Sequence, residues 1–149
     1  MRQARGFFGV GIVSGKTPAN LGTLWRSAHV FGAAFLFTVG KRYTHQCSDT
    51  TKASRHVPLY TYDTLDAMHK QLPLACQLVG VELTEAAETL AAFSHPAACV
   101  YLLGAEDSGL SADTLSRCDR VVRLPGRFCL NVAVAGSIVL HHRVTAAAS

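Results

Sequence analysis

Three short stretches carry residue types suited to holding a polar ligand. Gly104-Ala105-Glu106-Asp107-Ser108-Gly109-Leu110 sets a carboxylate between glycines after an apolar run. Leu124-Pro125 ends a second apolar run, and Cys129-Leu130-Asn131 then opens an Ala/Val-rich segment with an amide. Near the start, Asn20-Leu21-Gly22-Thr23-Leu24-Trp25-Arg26 places an amide and a guanidinium six residues apart. Glycines after a strand let backbone approach a ligand closely. Buried Glu and Asn side chains demand partners, and Arg offers a planar fork for phosphate or for developing negative charge. Each residue also has a plainer use. Asn20 and Asn131 are favoured helix N-caps, Arg26 can run its stem along an apolar helix and end in solvent, and Glu106 can sit exposed in a turn.

The elements that must position these residues alternate. Short apolar runs bounded by Gly, Pro or polar turns predict strands at 7–13, 34–39, 58–62, 75–81, 98–103 and 120–124. Helices are expected over 21–31, 63–72, 84–93, 111–117 and 130–144, with Asp63 and Ser111 as N-caps and Thr84 ahead of an acidic first turn. Alternation of this kind implies an α/β fold with a mostly parallel sheet flanked by helices, formed by one domain over residues 1–149. The polar, basic stretch Gly40–Arg55 has no period and reads as a long functional loop.

Composition narrows the function classes. Hydrophobic residues make up 49% and charged residues 16%, the balance of a folded globule. The apolar run 7–13 holds two glycines and lacks a small-residue cleavage pattern after it, so it reads as a strand rather than a signal peptide. No run is long enough to span a membrane. Five scattered cysteines without a CxxC pair suit reduced thiols in the cytoplasm. The adjacent His141 and His142 do not face one site on a helix, so no metal is expected. Charge is lopsided: up to Arg55 there are eight Lys/Arg against one acid, and afterwards six against nine. A basic first part suits a polyanion such as RNA, or is simply a solvated surface. A P-loop lysine and a GxGxxG fingerprint are both missing, which argues against a generic nucleotide-binding protein.

In this order the three stretches resemble the motifs of the SpoU (TrmH) family of SPOUT RNA methyltransferases, from about Gly9 to Arg143. The resemblance implies a SPOUT fold with a C-terminal trefoil knot, S-adenosylmethionine as cofactor, and methylation of a ribose 2′-hydroxyl. It implies tRNA as the first-choice substrate and rRNA as the second; a non-catalytic RNA-binding paralogue is the alternative. It further implies a homodimer without metal. In family terms Arg26 is the central catalytic residue, with Asn20, Glu106 and Asn131 in the polar network. Gly104, Leu124 and Leu130 would meet the cofactor, with Val79 and Gly80 on the neighbouring wall. Cys129 stands where the family commonly has Ser, so it is kept as a lining residue with a weaker hydrogen-bonding group. The segment between Pro125 and Asn131 is also shorter than in many relatives. Because Arg is effectively always protonated, anchoring phosphate and stabilising the 2′-oxygen suit Arg26 better than simple general-base work.

Overall fold

The computed structural model describes residues 6–40, 55–127 and 129–148. Its elements run β1 (Phe7–Val13), α1 (Pro18–Phe31), β2 (Phe35–Val39), β3 (Leu59–Tyr62), α2 (Leu65–Lys70) and β4 (Gln77–Val81). They continue with β5 (Glu88–Thr89), a 3-10 turn at Leu90–Ala92, β6 (Ala98–Leu103), α3 (Ala112–Arg117), β7 (Arg120–Arg123) and α4 (Val132–Ala148). The strands form one seven-stranded sheet in the order β3-β2-β1-β6-β4-β7-β5, with every pairing parallel. The parallel sheet and flanking helices agree with the expected fold class.

The two sides of β1 explain the layering. Phe8, Val10 and Ile12 point to one core, where Leu21, Leu24, Trp25 and Ala28 of α1 meet Ala133, Val139 and Leu140 of α4. Gly9 faces the other side, and a Cβ there would lie 2.5 Å from the Phe35 ring. Omitting that side chain lets the ring lie across the strand. Phe35 and Phe37 head the second core, with Met68 of α2, Leu78, Val100, Leu102 and Leu110, and with Leu115 of α3 packed against it. Each fully buried Leu, Val, Ile or Phe contributes about 1.5–3 kcal/mol relative to exposure, so the two layers together hold the sheet. Trp25 Nε1 donates to the Val57 carbonyl at 2.8 Å, and the Ser27 and Ser137 hydroxyls meet at 2.6 Å between α1 and α4.

At the amino-terminal end of the central strand β6, α4 is fastened by polar contacts. Arg143, only 4% exposed, donates to Pro96 O at 2.9 Å and to the Tyr101 hydroxyl at 3.0 Å. Tyr101 meets His95 Nδ1 at 2.7 Å, and His95 Nε2 meets His142 Nδ1 at 2.7 Å.

Several expected boundaries move. α1 begins at Pro18, with Gly32 in the left-handed conformation ending it. Thr64 rather than Asp63 caps α2, accepting from Ala67 N at 3.1 Å, and the helix spans only Leu65–Lys70. Ser111 caps α3 as expected, accepting from Thr114 N. β4 starts at Gln77 because Ala75 adopts φ +69°, which breaks an extended run. The largest correction is the helix expected over 84–93, which is a turn-rich connection containing β5 and the 3-10 turn. Arg120 decides it: its guanidinium grips both Glu88 oxygens at 2.8 and 2.6 Å, donates to Ser94 O and lies 4.2 Å from the Phe93 ring centre. Glu88 and Thr89 then pair with Val122 and Arg123. The alanine-rich stretch gains little apolar burial as a helix, so these tertiary contacts override its propensity. The loop expected over 40–55 lies outside the described residues for positions 41–54.

Candidate functional site

A cavity of about 560 Å³ opens at the carboxyl ends of β4, β6 and β7, within the usual range of about 300–1,000 Å³ for ligand pockets. Val81, Glu82 and Leu83 form one wall, and the glycine loop from Leu103 to Gly109 forms a second. Leu124 and Pro125 lie beyond β7, and Cys129, Leu130, Asn131, Val132 and Ala135 complete the enclosure at the start of α4. Two of the three motif stretches, those around Glu106 and Asn131, thus line one cavity, and the third contributes none of its lining. Four of the expected cofactor-contact residues, Gly104, Leu124, Cys129 and Leu130, line it. Val79 and Gly80 do not: Val79 is fully buried in the core, and a Cβ on Gly80 would meet Cys118 and Leu110. Side chains alternate along β4, and its contribution to the cavity comes at its end, from Val81 onward.

Backbone geometry shapes the glycine loop. Ala105 and Gly109 form an isolated antiparallel bridge, with Gly109 N donating to Ala105 O at 2.9 Å. Gly109 takes φ +66°, a conformation that costs a residue with a side chain. At Gly104 a Cβ would overlap the backbone of Gly109 and Leu110, lying 2.6 Å from Gly109 Cα. Only glycine lets the loop fold back so tightly beside the cavity.

The polar residues interlock across the fold. Glu106 Oε1 accepts from Asn20 Nδ2 at 3.0 Å and from Thr17 N at 3.2 Å, and Oε2 accepts from Lys16 N at 3.2 Å. Thr17 makes no side-chain cap for α1, whose first turn has no acid, so Glu106 serves that helix end from the distant loop. Burial pushes the Glu106 carboxyl up, but the donors from Asn20 and the backbone outweigh it and hold its pKa below the usual range. Asn20 Oδ1 accepts from Asn131 Nδ2 at 3.0 Å. Asn131 Oδ1 in turn accepts from Ala133 N at 2.9 Å and Val134 N at 3.3 Å, capping α4. Both amides are oriented by this chain, because a carboxylate can only accept and an N–H can only donate. Asn131 is therefore cap and network member at once. Asn20 is not a cap; it lies within α1 and is 9% exposed.

Arg26 stands apart. It is exposed on α1 and is not part of the cavity lining. Six residues turn a helix by roughly 240° beyond one full revolution, so Asn20 and Arg26 occupy different faces. Two further polar residues, Glu82 on the wall and Lys16 ahead of α1, hold the glycine loop. Glu82 lies on the wall and accepts from Leu110 N at 2.7 Å, and Lys16 pairs with Asp107 at 3.1 Å. Glu82 carried no sequence signal beyond following an apolar strand. No group of three metal-ligating side chains lies together among the described residues.

Residues 8–141 match the SpoU rRNA Methylase family. The chain belongs to the SpoU family. Among similar proteins, the tRNA (guanosine(18)-2′-O)-methyltransferase TARBP1 of Mus musculus is 28% identical over 133 residues, 83% of this chain and 8% of that protein. An uncharacterized tRNA/rRNA methyltransferase of Archaeoglobus fulgidus is 33% identical over 135 residues, 82% of this chain and 57% of that protein. This chain therefore spans less than two thirds of both curated relatives. The fold is that of the SpoU methyltransferase AviRb from Streptomyces viridochromogenes in complex with AdoMet. The TM-score is 0.82 at 23% identity, covering 98% of this chain and 62% of that one.

Proposed function

We propose that this SpoU chain is an S-adenosylmethionine-dependent RNA methyltransferase acting on a ribose 2′-hydroxyl, with tRNA as first substrate and rRNA as second. The observation that carries the reading is the cavity lined by the stretches around Glu106 and Asn131 and by the end of β4, to which Asn20 is tied through its hydrogen bonds with Glu106 and Asn131. Its residues fit the cofactor. Gly104 lets the loop fold back on Gly109 and Leu110 and so shapes the wall, Leu124, Leu130 and Val132 supply apolar surface for a nucleoside, and Cys129 faces the same space. When bound, the cofactor supplies a methyl group on a positively charged sulfur. The tRNA preference follows the name of the mouse relative, and the rRNA alternative follows that of the family.

The chain's own residues hold and orient. Glu106 and the two amides fix the glycine loop against the starts of α1 and α4, which keeps the cavity walls in register. Arg26 anchors the phosphate beside the target ribose and stabilises negative charge on the 2′-oxygen as its proton leaves to solvent. Since Arg26 is remote from its own cavity, the working site combines two chains, with Arg26 reaching the partner's cavity. Val134 and Ile138, 45% and 37% exposed, lie four residues apart on one apolar face of α4. This face suits a homodimer. The reading also includes the trefoil knot: β7 inserts between the earlier strands β4 and β5, and α4 then returns to pack on α1.

The test incubates purified protein with methyl-labelled cofactor and unmodified tRNA or rRNA, followed by nucleoside mass spectrometry. A 2′-O-methylnucleoside is expected; cofactor binding without transfer to either RNA would instead support a non-catalytic paralogue. Mixing Arg26→Ala chains with Gly104→Val chains should restore activity through mixed dimers. No recovery, with heterodimers demonstrated, would mean that each chain works alone.

A further inference from the structure

Glu82, the first residue beyond β4, joins three strand ends through one residue. Its backbone N–H donates to Val122 O of β7 at 3.1 Å. Its Oε1 accepts from Leu83 N at 3.1 Å, and its Oε2 accepts from Leu110 N at 2.7 Å, across to the glycine loop that follows β6. Gly109, just before Leu110, presses so close that a Cβ there would lie 2.5 Å from Oε2. The carboxylate is half-buried and lines the cavity.

The glycine loop is thus held by two carboxylates from opposite sides. Glu106 fastens its middle to the start of α1, and Glu82 fastens its far end to the wall formed by the end of β4. We propose that Glu82 is a positioning residue that sets the separation of these two walls and thereby the affinity for the cofactor. This inference rests on the reading of the cavity as the cofactor site. It assigns Glu82 no contact with reacting atoms.

The carboxylate is suited to the task because both backbone partners are donors and it only accepts. An amide has a single accepting oxygen, and its NH₂ group would confront one of the two N–H groups. Glu82→Gln therefore keeps the shape of the side chain and breaks one end of the clamp. Loosening a wall should weaken ligand binding more than it slows a step whose charge is handled elsewhere.

The experiment measures S-adenosylmethionine affinity by calorimetry, KM and kcat with saturating RNA, and amide hydrogen exchange at Leu110 and Leu83. Glu82→Gln is expected to raise Kd and KM for the cofactor about tenfold, the loss of one charge-assisted hydrogen bond. It should change kcat less than threefold and speed exchange at Leu110 or Leu83 but not at Ala133. Gly109→Ala, which pushes on the same carboxylate, should shift Kd in the same direction and serves if the first variant does not fold. Cofactor affinity within twofold of wild type in a folded Glu82→Gln protein overturns the inference while leaving the cofactor reading intact. A wild-type chain that binds no cofactor overturns the cofactor reading itself.

Discussion

Asn20→Asp probes the polar interlock with little change of shape. The donor that now faces Glu106 Oε1 at 3.0 Å becomes a carboxylate oxygen. Two like charges about 3 Å apart repel by about 5–6 kcal/mol at an effective dielectric of about 20. Glu106 is partly exposed, and solvent screening reduces this to about 2–4 kcal/mol. Proton uptake offers an escape: once protonated, the introduced carboxyl can donate to Glu106 while its other oxygen still accepts from Asn131. The pair's carboxyl pKa is therefore raised in the folded variant, and the folded state binds more protons than the unfolded chain above about pH 4. Such a contribution is present at acid pH and lost as pH rises. The penalty relative to wild type should be small near pH 4 and grow by about 1.4 kcal/mol per pH unit. It should level off at about 2–4 kcal/mol somewhere between about pH 5.5 and 7. Urea unfolding at fixed ionic strength from pH 4.5 to 7.5 measures it, with Asn20→Ala as the uncharged comparison, whose deficit should not follow this slope. A penalty for Asn20→Asp that is independent of pH, or below about 1 kcal/mol at pH 7.5, would refute the argued contact.

Three other outcomes follow from the geometry. Gly104→Val forces a side chain into the backbone of Gly109 and Leu110 and should weaken cofactor binding at least tenfold by calorimetry, about 1.4 kcal/mol or more. Arg26→Ala should abolish methyl transfer with cofactor affinity within twofold of wild type, and Arg26→Lys should also fail because Lys lacks the planar fork; near-normal turnover of the Ala variant would reject the role. His95 has its pKa lowered to about 4, first by burial and then by His142, Arg143 and Arg120. A base depressed in the folded state leaves the unfolded chain binding more protons, so its contribution is full above about pH 6.5 and lost as pH falls toward about 4. Allowing for partial exposure, roughly 1–2 kcal/mol should disappear over that window, and His95→Phe should flatten the measured pH dependence of stability.

Much of this protein was legible along the chain because the signals are local. Apolar runs such as 7–13 and 98–103 mark buried strands whatever their neighbours, and Ser111 announces the start of α3 by a hydroxyl three residues from the amide it accepts. The motif residues Gly104, Glu106 and Asn131 could be singled out along the chain, and their two stretches do meet at one cavity, with Asn20 joined to it through Glu106. What each polar group does was decided only in three dimensions. Asn20 looked like a cap for the helix beside it, yet its partners are 86 and 111 residues away. Glu106 caps a helix from 89 residues further along, and Glu82 clamps a loop 28 residues on. The segment 84–93 carried helical composition and lost it to the Arg120 guanidinium and to pairing with β7. Periodicity and propensity describe a residue's near neighbours. Hydrogen-bond donors and acceptors are satisfied by whatever the sheet order brings beside them, and that order, β3-β2-β1-β6-β4-β7-β5, belongs to the packing of the whole chain and to no single segment.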